Sequence, residues 1–159
     1  MTLLEVRKLY NLSQQKVASF LNVPLRTYIR YEKDDNYGNS LKRKMMIESI
    51  DNEYRISEDR GVLSTKQIKD SLNQLFASKY EGKINFCYLF GSYAKGYQTE
   101  TSDIDLCVST SLTGLDFVGL SEDIRNILHK KIDLIRFDTL NNNLELIAEI
   151  LKSGMKLYG

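Results

Sequence analysis

Leu89-Phe90-Gly91-Ser92-Tyr93-Ala94-Lys95-Gly96, followed shortly by Thr101-Ser102-Asp103-Ile104-Asp105-Leu106, is the stretch on which the reading of this chain turns. Ten residues, Tyr93 through Ser102, separate the Gly-Ser pair from the Asp-x-Asp pair. The apolar run from Ile84 to Phe90 predicts a buried strand that stops at Gly91, and a second strand is expected from Ser102. Side chains alternate along a strand, so Asp103 and Asp105 share one face while Ile104, Leu106 and Val108 take the other. Carboxylates at alternate positions of an apolar strand repel each other and lose hydration, and a cation compensates both. Oxygen-only donors favour Mg²⁺ or Mn²⁺ over zinc. Gly91 permits a backbone closed to other residues and a close approach to phosphate. Ser92 offers a hydroxyl and an amide, and Gly96 leaves the following segment unencumbered. For either half alone, a hairpin with solvated acids is the plain alternative, because Gly, Ser and Asp are common turn formers. Lys95 reads equally well as a phosphate contact or as a solvated loop lysine.

A third acid, Asp133, lies in Lys130-Lys131-Ile132-Asp133-Leu134-Ile135-Arg136-Phe137, whose alternation is again that of a strand. Asp138 competes with it, but its place just before Thr139 suits a helix cap. Together these motifs resemble the signature of the minimal nucleotidyltransferases of the DNA polymerase β superfamily, over roughly residues 64 to 159. The resemblance implies an α+β nucleotidyltransferase fold, a short mixed sheet flanked by helices. It also implies roles: Asp103, Asp105 and Asp133 as catalytic and metal-holding acids, and Gly91, Ser92, Lys95 and Gly96 around the nucleotide. The implied reaction moves a nucleoside monophosphate, with ATP as the expected donor, onto an acceptor hydroxyl and releases pyrophosphate. Minimal members commonly lack a substrate domain, and some act as antitoxins that adenylylate a helical toxin of the HEPN type, often on tyrosine. Two rivals stand beside this: a transcriptional regulator whose transferase fold only senses nucleotide or dimerises, and modification of a small molecule such as an aminoglycoside.

The first fifty-odd residues read differently. Ser13 caps the apolar spacing of a short helix over Leu12 to Leu21, Asn22-Val23 makes a turn, and Pro24 opens a helix over Leu25 to Glu32 that packs Tyr28 and Tyr31 inward. Arg26 and Arg30, four apart, share the outer face. This resembles the helix-turn-helix of the Cro/phage-repressor type. That resemblance implies an all-α DNA-binding domain over residues 1–55, with Gln14 and Gln15 at phosphate or a base edge and Leu25, Arg26, Thr27 and Arg30 facing bases. Operator DNA is then an expected partner, and a homodimer is expected if a palindrome is read. Where the family places a glycine turn after the glutamate, Lys33-Asp34-Asp35-Asn36-Tyr37-Gly38 intervenes. A plain helical bundle with solvated arginines is the alternative. The run Lys42-Arg43-Lys44 reads as a solvated helix face or a phosphate track. Asp51 to Ser64 is polar and aperiodic, so residues 56–63 are expected to link this domain to a second at 64–159, opened by the capping box Ser64-Thr65-Lys66-Gln67. In the second domain Ile68, Leu72, Leu75 and Phe76 form one helical stripe, Phe117 to Leu128 another, and Leu144 to Leu151 a last helix ending near Gly154.

Bulk properties constrain rather than decide. The chain is 42% hydrophobic, enough for real cores, and its formal net charge of +1 gives no general pull toward nucleic acid. Cys87 and Cys107 lie inside predicted strands, lack zinc-site spacing and read as buried reduced thiols. No run approaches a membrane span, and Glu5, Arg7 and Lys8 stand where a signal peptide would be apolar, so a cytoplasmic chain is expected. His129 has no partner at ligand spacing.

Overall fold

Four helices make up the first unit of the chain, Met1–Arg55, in a computed structural model that describes residues 1–159. The first, α1 (Leu3–Leu9), starts on a capping box in which Thr2 and Glu5 exchange hydrogen bonds. It was not among the expected helices, although Thr2-Leu3-Leu4-Glu5 carries the spacing of a capping box. Ser13 caps α2 (Gln14–Phe20), and Asn22 adopts a left-handed φ of 52° in the turn to α3 (Leu25–Lys33). The fourth helix, α4, spans Ser40–Tyr54, so the polar residues from Asp51 onward continue a helix rather than opening a connector. Leu3, Val6, Val17, Ala18, Tyr28, Tyr31, Met46 and Ile50 form one apolar core, with both expected tyrosines inside it. Arg43 is not solvated: its guanidinium donates to the carbonyls of Asp34, Asp35 and Tyr37 and holds the α3–α4 turn.

The second unit, Ile56–Gly159, is an α+β fold. The segment expected as a linker belongs to it, because Leu63 is buried in its core and Ile56 packs there too. Ser64 and Gln67 do form a capping box, opening α5 (Thr65–Lys79). Then follow β1 (Ile84–Phe90), α6 (Gly91–Lys95), β2 (Ile104–Thr110), α7 (Gly114–Leu128), β3 (Ile132–Arg136), a 3₁₀ turn (Phe137–Leu140), α8 (Leu144–Ser153) and β4 (Met155–Tyr158). Strand order is β3-β2-β1-β4, with β1 antiparallel to both β2 and β4 and β2 parallel to β3 through the α7 crossover. The fourth strand is an addition to the sequence reading. Four residues cannot establish alternation by themselves, and only pairing with β1 makes them a strand.

Both sheet faces are covered, which is why β1 and β2 read as nearly continuous apolar runs. Ile68, Leu72 and Phe76 of α5 and Leu120, Ile124 and Leu128 of α7 pack against Cys87, Leu89, Ile104, Leu106 and Val108. On the other face Ile150 of α8 and Leu140 cover Phe90 and Cys107. Both thiols are unpaired and buried. Asp138 does not cap a helix; it lies within the 3₁₀ turn and pairs with Arg136. No helix is long and apolar enough to cross a membrane.

Candidate active site

Register brings the acids together. Asp105 lies opposite Asp133 across the parallel β2–β3 pair and opposite Phe90 across β1–β2. Directly paired residues on neighbouring strands stand about 5 Å apart, so the two acids project side by side from the same face of the sheet. Asp103 is exposed just before β2 begins. Because Phe90 ends β1, the next residue, Gly91, starts α6 beside Asp105. The fit is close: Gly91 has φ +69°, and a Cβ placed on it would meet Asp105 Oδ2 at 2.0 Å. The Asp105 carboxyl therefore occupies the space that any other residue at 91 would fill. The sequence reading of Gly91 as a phosphate-approach glycine omitted this second demand on it.

That packing has an electrostatic consequence. Partial burial first, then the charges of Asp133 and Asp103, push the Asp105 carboxyl up to about 6 from 3.8. Glu149 adds to the repulsion and Lys95 offsets a little of it. The donors are all oxygen, crowded and mutually repelling, and this is the environment that a hard divalent cation relieves. No three of these side chains are gathered closely enough to enclose an ion. The tight convergence of three acids expected from the sequence is looser: Asp105 and Asp133 are neighbours in register, while Asp103 is exposed ahead of β2. Asp133 is exposed and reaches solvent.

The other expected nucleotide residues surround this point. Ser92 is half-buried in the first turn of α6, and its carbonyl accepts from the amides of Gly96 and Tyr97. Gly96 closes α6 at φ +80°, with open space where a Cβ would stand. Lys95 is neither a free loop lysine nor aimed at open solvent. Its Nζ lies 2.5 Å from Glu149 Oε1, tying α6 to α8 and holding the ammonium above its ordinary pKa. Glu149 lies on a helix whose spacing revealed only its apolar face, so nothing in the sequence pointed to it.

A family model described as polymerase beta, nucleotidyltransferase matches residues 66–159. The chain belongs to this family. Among relatives of this nucleotidyltransferase domain is one named "Putative protein adenylyltransferase" in Methanocaldococcus jannaschii, 41% identical over 80 residues that cover 48% of this chain and 93% of the relative. The protein adenylyltransferase MntA of Shewanella oneidensis is 32% identical over 80 residues, covering 48% of this chain and 55% of MntA. A crystal structure described as a toxin-antitoxin with AMP-PNP aligns with a TM-score of 0.49 and 26% identity, covering 57% of this chain and 73% of that one. The nucleotidyltransferase domain thus accounts for the Gly-Ser and Asp-x-Asp motifs and for the mixed sheet that presents them.

The first unit places its predicted residues separately. Arg26 and Arg30 are exposed on α3, Thr27 and Leu25 are half-buried, and an open groove runs past Leu25, Arg26, Ile29, Arg30 and Lys33. Gln15 is exposed. Gln14 is engaged inside the unit: its amide donates to Glu32 at 2.9 Å, while Arg7 meets both oxygens of the same carboxylate at 2.7 and 2.8 Å. Glu32 is almost fully buried, and these donors hold it below the ordinary carboxylate range against the opposing pull of burial. The network locks α1, α2 and α3 together, a structural role for Gln14 that its surface-like sequence position did not suggest.

Proposed function

We propose that the second unit transfers AMP from ATP to a hydroxyl on a protein, as an antitoxin that adenylylates a helical toxin of the HEPN type. The observation that carries the transfer chemistry is the Asp105 carboxyl seated against the Gly91 backbone with Asp133 in register beside it. The protein acceptor is suggested by relatives named protein adenylyltransferases. The antitoxin reading rests on the resemblance of the motifs to the minimal members of the family.

In this reading Asp103, Asp105 and Asp133 hold Mg²⁺ or Mn²⁺, and when bound the ion neutralises charge on the triphosphate oxygens. The Gly91 backbone and the Ser92 hydroxyl and amide orient the triphosphate at the first turn of α6. Gly96 lets the chain turn away from it. Lys95, held near this turn by Glu149, adds positive charge close to the phosphates. The exposed Asp133 accepts the proton of the attacking hydroxyl. A bond forms from that oxygen to the α-phosphorus, the bond from the α-phosphorus to the bridging oxygen breaks, and pyrophosphate leaves. All three carboxylates are present, which favours this reading over a domain that only senses nucleotide.

The test incubates the full chain with α-labelled ATP, Mg²⁺ and a small helical toxin of the HEPN type as acceptor. Label on a tyrosine of that protein is expected. Label that stays in ATP while the acceptor is folded and present would sink the protein-adenylylation reading.

For the first unit we propose operator binding, with α3 in the major groove, Arg26, Thr27 and Arg30 at base edges and Gln15 at the backbone. The exposed arginines on one face of α3 support it. An arginine fork that meets guanine is worth about 1–3 kcal/mol of discrimination. Arg26→Ala or Arg30→Ala should therefore weaken binding to the protein's own promoter by about tenfold or more in a gel shift. Unchanged shifts for both would remove the groove assignment.

A further inference from the structure

Lys130 is the one fully buried charged residue of the chain. Its backbone explains how it gets inside. His129 ends α7 in a left-handed conformation, φ 54°, and this reversal turns the next side chain inward. The ammonium has three donors and no acceptor. It meets three backbone carbonyls: Glu100 at 2.5 Å, Arg60 at 3.2 Å and Glu58 at 3.3 Å. No carboxylate pairs with it directly. Burial pulls its pKa down, and the charges of Glu100, Asp59 and Glu58 oppose that.

These carbonyls come from two loops outside the strands and helices; Arg125 of α7 holds the first through the Glu58 carboxylate, and Gly61 N donates to Glu100 Oε1 at 3.2 Å, so Lys130 is the group that binds the backbone of both. Glu58 and Arg60 belong to the short turn closed by the Ser57–Arg60 bridge. Glu100 lies in the loop between Gly96 and Asp103, whose internal bonds all gather on Thr99, Thr101 and Ser102 and leave the Glu100 backbone itself to Lys130. That loop joins the Gly-Ser turn to the first acid. The neighbouring residue completes the link, since the Lys131 carbonyl accepts from Ile104 N at 2.9 Å. Residues 130 and 131 thereby tether the approach to β2 at two points, Glu100 and Ile104, which bracket Asp103.

We propose that Lys130 is a positioning residue: by gripping the Glu100 carbonyl it fixes the loop that sets where Asp103 stands relative to Asp105 and Asp133. This deepens the transfer reading and rests on it for its consequence in catalysis, while the clamp itself is testable without any activity. A loose buried ammonium would be costly in the folded state, so its retention at this point calls for the three carbonyls to be held in return.

The experiment compares wild type, Lys130→Met, which keeps the stem and removes the donors, and Lys131→Met, which alters an exposed neighbour. In the metal-free full chain, amide hydrogen exchange over residues 99–104 should accelerate in Lys130→Met and stay at the wild-type rate in Lys131→Met. With Mg²⁺ and ATP, Lys130→Met should lower kcat by about 10²-fold, the scale of an ångström-sized misplacement. It should also raise the Mg²⁺ concentration needed for half-maximal rate and leave the KM for ATP near wild type. Unchanged exchange together with an unchanged Mg²⁺ requirement would overturn the proposal. Accelerated exchange in a chain whose wild type shows no transfer would uphold the clamp and count against the transfer reading instead. Should Lys130→Met fail to fold, the wild type decides: its Lys130 ammonium should give a slowly exchanging ¹⁵Nζ signal, and an all-fast lysine spectrum overturns the clamp.

Discussion

Asp105→Asn is expected to make the metal-free protein melt at a higher temperature and to abolish nucleotidyl transfer. The two effects have one origin. In the folded chain the Asp105 carboxyl sits half-buried against Gly91 and beside two other acids, and its pKa is raised to about 6. A carboxyl whose folded pKa exceeds its unfolded one binds its proton more tightly in the folded state, so stability falls as pH climbs from about 4 to about 6 and stays lowered above that. Each pKa unit corresponds to about 1.4 kcal/mol. Allowing for screening in this half-open site, the ionised group costs the apo-protein about 1–2 kcal/mol at pH 7.5. Asparagine keeps the shape and removes the charge. Its melting temperature should rise by about 5 °C or more at pH 7.5, with the gain vanishing near pH 4, as measured by circular dichroism in EDTA. Transfer should drop to background because the charge that the reaction needs is the charge that destabilises the fold. A variant that melts lower at pH 7.5 and retains transfer would contradict both halves.

Gly91→Ala should be nearly as damaging, for a steric reason. An alanine Cβ would stand 2.0 Å from Asp105 Oδ2, on a backbone with φ +69°. The left-handed conformation alone costs about 1–2 kcal/mol for an L-residue. The contact then forces the carboxyl out of its seat, and with it the cation-holding geometry. Gly82→Ala separates these contributions, because Gly82, outside the site, shares the φ of +69° but has nothing within 4 Å of the added carbon. Both alanines should lower the melting temperature. Only Gly91→Ala should lower kcat by about 10²-fold or more, the scale of a misplaced reacting group. Equal losses of activity in the two variants would show that backbone strain, and not displacement of Asp105, is what glycine prevents at position 91.

Much of the second unit was legible because its sequence carries two kinds of signal at once. The run from Ile84 to Phe90 and the alternation around Asp103 and Asp133 fixed three strands, and the Ser64–Gln67 box fixed the start of α5. The motif spacing then said what the strands carry. What stayed hidden was tertiary in origin. Four residues from Met155 to Tyr158 become a strand only by pairing with β1. Lys130 stood only as the first residue of the run around Asp133, since nothing local reveals that His129 reverses the chain and sends the ammonium inward. Gln14, expected at phosphate or a base edge, and Arg43, expected on a solvated face or a phosphate track, find other partners for the same reason: Glu32 and the carbonyls of Asp34, Asp35 and Tyr37 are brought to them by folding. Propensity and pattern see neighbours along the chain, and these contacts are made between segments far apart in it.

The central claim is that Asp103, Asp105 and Asp133 form a cation-holding site next to a nucleotide at Gly91-Ser92. Calorimetric binding of a non-hydrolysable ATP analogue, with and without Mg²⁺, tests it most directly when wild type is set beside Asp105→Asn. In wild type Mg²⁺ should tighten binding by about tenfold or more, equivalent to at least ~1.4 kcal/mol, and Asp105→Asn should lose that gain. The same Mg²⁺ dependence in both proteins, or none in wild type, would contradict the account.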